Sequence, residues 1–261
     1  MDEYVYDVYN LDWWWWTVGR RALVEKLWRR YGGDAGKEPL ILDIGCGVGS
    51  TIKQLERFGR GYGLDISDTA LKYCRERGID SVCLAQASDL PYGDDLFSLV
   101  TSIDVLEHVE DDVSAIREMY RVVKPGGVIV FTVPAFQFLW SRRDEQSHHF
   151  RRYRLGEVKE KAAEAGLSIL RATYINLPLL LPLFLLVKVG HLLRRNPSIN
   201  MDYVLVPAPI NKVLGWVVRA EARWLSRLDL PLGTSICCVA VKPGAASPKG
   251  GSLAKEESLA R

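Results

Sequence analysis

The stretch "ILDIGCGVGS" (41–50) ends an apolar run in an acid, Asp43, and follows it with Gly45, Gly47 and Gly49. Glycines spaced this way let the backbone turn tightly and approach a ligand closely. The pattern is G-x-G-x-G with Ser50 following, not the G-x-G-x-x-G of dinucleotide-binding turns, which weakens a nicotinamide reading. A second acid, Asp65, closes the next apolar run about twenty residues on, where a carboxylate can grip ribose hydroxyls. Further along, "DVLEHV" (104–109) offers Glu107 and His108. "SRRDEQSHHFRRYR" (141–154) then gathers Asp144, His148, His149, Tyr153 and arginines that include Arg151, Arg152 and Arg154. Histidine titrates near neutral pH and can take a proton, and arginine suits phosphate or carboxylate recognition.

These groups need a scaffold, and the chain supplies its outline. Short apolar runs alternate with helix-length amphipathic segments, which argues for a parallel sheet with helices on both faces. Strands are expected at 40–44, 61–65, 81–85, 96–102, 128–133, 168–175 and 235–241, with helices near 49–58, 68–77, 112–122 and 155–165. The chain has 261 residues, enough for one globular domain with elaborations. Its net charge of +2, from 34 basic and 32 acidic residues, implies no pull toward nucleic acid. Five cysteines without zinc-type spacing suit a reduced, cytoplasmic setting, and the acidic start "MDEYVYDVYN" lacks a signal-peptide layout.

In order and spacing, "LDIGCGVG", "GLDIS", "ASDLPYGDDLFSLV", "DVLEHV" and "RVVKPGGVIVFTVP" resemble the class I S-adenosylmethionine-dependent methyltransferases. The resemblance covers roughly residues 38 to 175 and the final strand. It implies a Rossmann-like, doubly wound, seven-stranded α/β sheet, mostly parallel with an antiparallel last strand. It further implies that S-adenosylmethionine is the methyl donor, held by Asp43, Gly45, Cys46, Gly47 and Gly49, with Asp65 on the ribose. Ile66, Gln86 and Ala87 would surround the adenine, and Ser102 and Ile103 would sit beside the sulfonium. Gln86 stands where the family often has an acid, but its carbonyl can still accept from the adenine amino group. Ser98 stands where an Asp is usual.

The expected organisation is an N-terminal aromatic lid (1–37), a core (38–175 and 234–243), a helical cap insertion (176–233) and a disordered tail (244–261). Four consecutive tryptophans, Trp13–Trp16, sweep roughly 300° of a helix, so no single core-facing stripe hides them all. Backed by Tyr4, Tyr6 and Tyr9, the lid would close over the cleft, with Trp14 and Trp15 against substrate. The apolar run Leu177–Leu193 falls short of the ~20 residues a spanning helix needs. On the next helix, Ile210, Val213, Leu214, Val217, Trp224, Leu225 and Leu228 share one face, and Lys212, Arg219, Arg223 and Arg227 the opposite one. That design suits an anionic membrane surface, and equally a solvated helix on a core. Glu221 falls within the apolar face and needs a partner or a substrate group.

The expected chemistry is transfer of a methyl group to a small-molecule, lipid-linked or sugar-containing acceptor. O-methylation is favoured because histidines follow the fifth strand, where acceptors bind in open parallel sheets. His149 is the first candidate for the base, with His148 and Tyr153 as alternatives. Arg151, Arg152 and Glu221 are the expected substrate contacts. Some relatives, including ubiquinone-pathway O-methyltransferases, use a pair like Glu107–His108 in a metal site. Here the pair is expected to make local hydrogen bonds, with no metal assigned unless His148 or His149 converges on it. The alternative function is a non-catalytic S-adenosylmethionine-binding partner with an aromatic interface.

Overall fold

The computed structural model describes residues 12–33, 36–192, 207–225 and 227–244; for 186–192 only the backbone course is described. Tyr4, Tyr6, Tyr9 and nearly all of the expected tail lie outside the described residues. The elements run α1 (Trp15–Tyr31), β1 (Leu40–Ile44), α2 (Ser50–Leu55), β2 (Arg60–Asp65), α3 (Asp68–Glu76), β3 (Val82–Leu84) and β4 (Phe97–Ile103). They continue with α4 (Asp112–Val122), β5 (Val123–Pro134), α5 (Arg142–Gln146), α6 (Leu155–Glu164), β6 (Ser168–Ile175), α7 (Leu177–Leu192), α8 (Ala208–Leu225) and β7 (Ser235–Val241). Short 3-10 turns lie at Leu106–His108 and Gln137–Leu139.

The seven strands form one sheet in the order β3-β2-β1-β4-β5-β7-β6. Only β7 runs antiparallel to its neighbours, β5 and β6. This is the Rossmann-like sheet expected. One difference is local. "KPGG" (124–127), which precedes the strand expected at 128–133, is a bulge within β5: Phe97 pairs Val123, and pairing resumes only at Leu99 and Val128. Gly126 has φ +77° there, a backbone state glycine enters without steric cost.

Strand residues alternate between two apolar faces, as a sheet covered on both sides requires. Leu42, Ile44, Val100, Ile129, Phe131 and Ala240 pack with Ile116 and Met119 of α4 and Val158 of α6. Ile41, Leu99, Val130 and Val239 pack instead with Leu23, Val24 and Leu27 of α1 and with Ala222 and Leu225 of α8. Beyond its first turns, then, the expected lid is a core helix.

Two corrections concern α8. Its buried stripe is Asn211, Gly215, Val218, Ala222 and Leu225, not the bulkier set that hydrophobicity favours. The stripe faces α1 at close range: a Cβ on Gly19 would lie 2.9 Å from Val218 Cγ2. Small residues therefore face inward, and Ile210, Val213 and Trp224 are left exposed. Glu221 accepts from the backbone N–H groups of Asn176 and Leu177, each at 2.8 Å, and so caps the start of α7. It is a helix cap and not a substrate contact.

Candidate active site

At the carboxyl ends of β1, β2, β4 and β5 lies a cavity of about 1230 Å³. A drug-sized ligand needs about 300–1,000 Å³, so there is room for a nucleoside cofactor and an acceptor together. Its floor is the β1–α2 turn. Gly45, Gly47 and Gly49 have φ of +67°, +53° and +77°. A Cβ at Gly45 would approach Val105 to 2.4 Å and one at Gly49 would approach Ile79 to 2.5 Å, whereas one at Gly47 would meet no protein atom within 4 Å. Gly47 thus offers bare backbone to the cavity, and Gly49, which does not line it, makes the turn into α2.

Asp43 is buried and accepts from Thr101 Oγ1 at 2.6 Å. Burial raises its carboxyl to about 7 against the Thr101 hydrogen bond, with the Asp65 charge adding to the rise. Asp65 accepts from Gly47 N at 2.9 Å through one oxygen and from Ser67 N at 3.0 Å through the other. Each oxygen keeps a lone pair for a ligand hydroxyl. Ile66 lines the cavity with 74% of its surface exposed, an apolar side chain with nothing yet on it. Cys46, Gln86, Ala87 and Ile103 also line it. Ser102 does not: it is fully buried in β4, which removes it from the expected cofactor contacts.

The other end is built by the segments after β4 and β5. The 3-10 turn at Leu106–His108 and the loop after α5 are tied together by Phe150 N donating to Glu107 O at 2.8 Å. The tie brings His149 beside His108, ring centroids 4.6 Å apart and nearly perpendicular. His149 Nδ1 lies 2.9 Å from Asp144 Oδ1. Asp144 is buried and also receives Arg152 Nε at 2.7 Å, Arg152 Nη2 at 3.0 Å and Ser141 N at 2.8 Å. Burial opposes ionisation, but the His149 hydrogen bond and the Arg152 guanidinium outweigh it and hold the carboxyl well below its usual range. An ionised Asp144 can only accept, so Nδ1 donates to it, and in the neutral ring Nε2 is then the acceptor.

Glu107 is buried against the cavity, and its Oε2 has no hydrogen-bond partner among the described residues. Burial, reinforced by the Asp104 charge, pushes this carboxyl well above its usual range. His108 is lowered to about 4 by burial and by His149, so it is neutral at physiological pH. Ligand atoms of Glu107, His108 and His149 all lie within 4.8 Å of one another, a grouping able to hold a metal ion. The convergence required of a third residue is met by His149, whereas His148 lies exposed in a left-handed conformation at φ +55°.

Three expected site residues have other employment. Tyr153 is buried, donates to Asp112 Oδ2 at 2.8 Å and sits 3.1 Å from Leu106 O. Burial and the Asp112 charge push its hydroxyl far above the usual tyrosine range, so it is a core strut rather than a base. Arg151 donates to Glu110 O at 2.6 Å and does not line the cavity. Arg152 reaches the cavity, but its guanidinium is spent on Asp144 and Ala135 O. Neither is available as an anion clamp.

Trp14, Trp15 and Trp16 line the cavity and Trp13 faces outward. Asn211 of α8 holds them, its Oδ1 accepting from Trp15 N and its Nδ2 donating to Trp13 O, both at 2.9 Å. It serves as an N-cap supplied from another helix. Arg20 stacks on Trp16 at 4.2 Å and grips Asp104 through two bonds of 2.9 and 3.1 Å, with a third to Ser235 Oγ. Asn211, Arg20 and Asp104 carry no sequence signal beyond their polarity. The remaining wall is apolar: Leu179, Pro182 and Leu183 of α7 and Leu214 of α8.

Residues 42–131 match the methyltransferase domain family. Over that stretch the chain is similar to methyltransferase domains. Among curated relatives, it is 32% identical over 160 residues to the ubiquinone/menaquinone biosynthesis C-methyltransferase UbiE of Klebsiella pneumoniae, 55% of this chain and 62% of that one. The Vibrio vulnificus UbiE is 33% identical over 143 residues, 48% of this chain and 55% of that one. The chain thus spans about three-fifths of the length of these relatives. Geranyl diphosphate C-methyltransferase from Streptomyces coelicolor superposes with a TM-score of 0.56 at 19% identity, over 85% of this chain and 79% of that one. Haemonchus contortus phosphoethanolamine N-methyltransferase 2, solved with S-adenosyl-L-methionine, gives 0.55 at 19%, over 85% and 52%. These likenesses show the fold. The bare Gly47 backbone, the paired oxygens of Asp65 and the exposed Ile66 fit a cofactor such as the S-adenosyl-L-methionine of the Haemonchus structure.

Proposed function

We propose that the protein is an enzyme that methylates a hydroxyl on an acceptor with an apolar, lipid-like body, using His149 as general base. His149 on the cavity wall, backed by the buried Asp144, carries this reading. S-adenosylmethionine supplies an electrophilic methyl on a sulfonium, which becomes a neutral thioether once the methyl has moved. Asp65 would hold the ribose hydroxyls, Gly45 and Gly47 would give their backbone to the methionine portion, and Ile66 and Gln86 would flank the adenine. Asp144 would fix the His149 tautomer, leaving Nε2 to take the acceptor's hydroxyl proton. Such a base contributes about 10²–10⁴-fold, and holding the reactants in line roughly 7–11 kcal/mol. Trp14, Trp15, Leu179, Leu183 and Leu214 would enclose the acceptor's apolar body and exclude water. The arginines once expected to bind an acidic group are occupied, so the acceptor need not be anionic.

The test is a lipid extract incubated with the protein and an isotopically labelled methyl donor, followed by mass spectrometry. Label in a methoxyl group, lost in His149→Gln with cofactor affinity unchanged, supports the reading. Label on carbon would match the reaction in the UbiE relatives' name and remove the hydroxyl. Cofactor binding with no labelled product from any extract favours the partner-protein alternative. A second reading comes from the grouping of Glu107, His108 and His149, in which His149 is a metal ligand instead of a base. Metal retained by the purified protein, and lost in Glu107→Gln, would favour it.

A further inference from the structure

We propose that the outer faces of α7 and α8 form one docking surface for an anionic lipid bilayer. From Leu177 to Val187 the α7 sequence, "LPLLLPLFLLV", contains no polar side chain. Leu179, Pro182 and Leu183 line the cavity, while Leu177, Leu181 and Leu185 are 39%, 64% and 51% exposed. A helix apolar all round is normally covered all round; here the described residues cover one side only. No helix among the described residues is long and apolar enough to cross a membrane, so α7 lies on its cover and does not pass through it.

The second helix extends the same surface. Turning α8 at about 100° per residue from its core stripe, Leu214 and Glu221 come next, on the side that meets the cavity and α7. Ile210, Val213 and Trp224 follow, 50%, 61% and 67% exposed, and then Trp216 at 70%. Bordering them are Lys212, Arg219, Arg223 and Arg227, all exposed. The one acid on this helix, Glu221, is turned inward to the start of α7. Among the described residues of α8 the outward face is therefore apolar at its centre, edged by tryptophan and then by basic side chains. That sequence matches the depth profile of a bilayer with anionic headgroups. A second copy of the chain is a poorer cover, because it would bring the same positive edge against this one.

The docking surface also deepens the proposed function: α7 becomes a wall between the bilayer and the acceptor chamber. As a source of acceptors the surface rests on that reading; as a binding surface it does not. The full chain should co-sediment at low salt with vesicles of phosphatidylcholine and phosphatidylserine in equal parts, less with phosphatidylcholine alone, and progressively less as salt rises. Lys212→Gln with Arg219→Gln should weaken binding about 30-fold, about fivefold per residue. Leu181→Asp with Leu185→Asp should abolish it while leaving the circular dichroism spectrum and S-adenosylmethionine binding intact, since neither residue lines the cavity. Two results overturn the proposal: wild type that stays in the supernatant with the anionic vesicles at low salt, or a dimer that the two aspartates convert to monomer. Vesicle binding by a protein that fails to bind S-adenosylmethionine would sink the proposed function and leave the docking surface standing.

Discussion

Replacing Asp144 by Asn keeps the shape of the side chain and removes its charge. Arg152, with 5% of its side chain exposed, would keep Ala135 O but lose its counter-ion in a site where Asp144 itself is fully buried. Breaking a buried pair by removing one partner costs about 3–5 kcal/mol, because the remaining charge is stranded. We expect about 3 kcal/mol, since the Asn carbonyl can still accept one of the two Arg152 bonds. His149 suffers differently. With an amide NH₂ facing Nδ1, the ring proton moves to Nε2 and the acceptor site is lost, lowering turnover by about 10²–10⁴-fold. The pH dependence gives an independent check. The native carboxyl titrates below its unfolded value of about 3.9, so its contribution is fully present above that value and fades as pH falls through the native one. The gap between wild type and variant in urea unfolding should therefore be widest near neutrality and shrink under acid. Adding Arg152→Met removes the stranded charge and should restore part of the stability but none of the turnover. A loss below about 1 kcal/mol at pH 7, or a gap that ignores pH, would refute the argument.

Four further outcomes follow from the geometry. Gly47→Val should abolish S-adenosylmethionine binding in calorimetry without unfolding the protein, because a side chain there enters the cavity and touches no protein atom; Asp65→Ala should weaken binding by about tenfold or more, one lost charge-assisted bond being about 1.5–3 kcal/mol. Asn211→Ala leaves Trp15 N and Trp13 O unpaired and should cost about 1–3 kcal/mol, with faster proteolysis before Trp15 as the readout. His108 titrates near 4 in the folded state against about 6.5 unfolded, so stability should be full above 6.5 and fall by about 3 kcal/mol as pH drops to 4. His108→Asn should flatten that slope in denaturation curves.

What the sequence determined by itself was the local part. Glycines at 45, 47 and 49 suit a tight turn with positive φ, and short apolar runs alternating with amphipathic segments read as strands covered on both faces; both readings depend on neighbours a few residues apart. Hence the sheet, the cofactor end of the site and the acid closing β2 were legible. The acceptor end was legible only as a list of candidates. Glu107–His108 and Asp144–His149 lie some forty residues apart and meet only because β4 and β5 are neighbours whose following segments share one end of the sheet. The same packing decided which polar groups are spoken for: Tyr153 by Asp112, Arg152 by Asp144, Glu221 by the start of α7. It also decided which side of α8 faces inward. Hydrophobicity favours the bulkier stripe, but α1 comes close at Gly19, where Val218 of the inner stripe meets it, and the bulkier stripe is turned outward. A helix carrying two apolar stripes states no preference between them until its neighbour's distance is known.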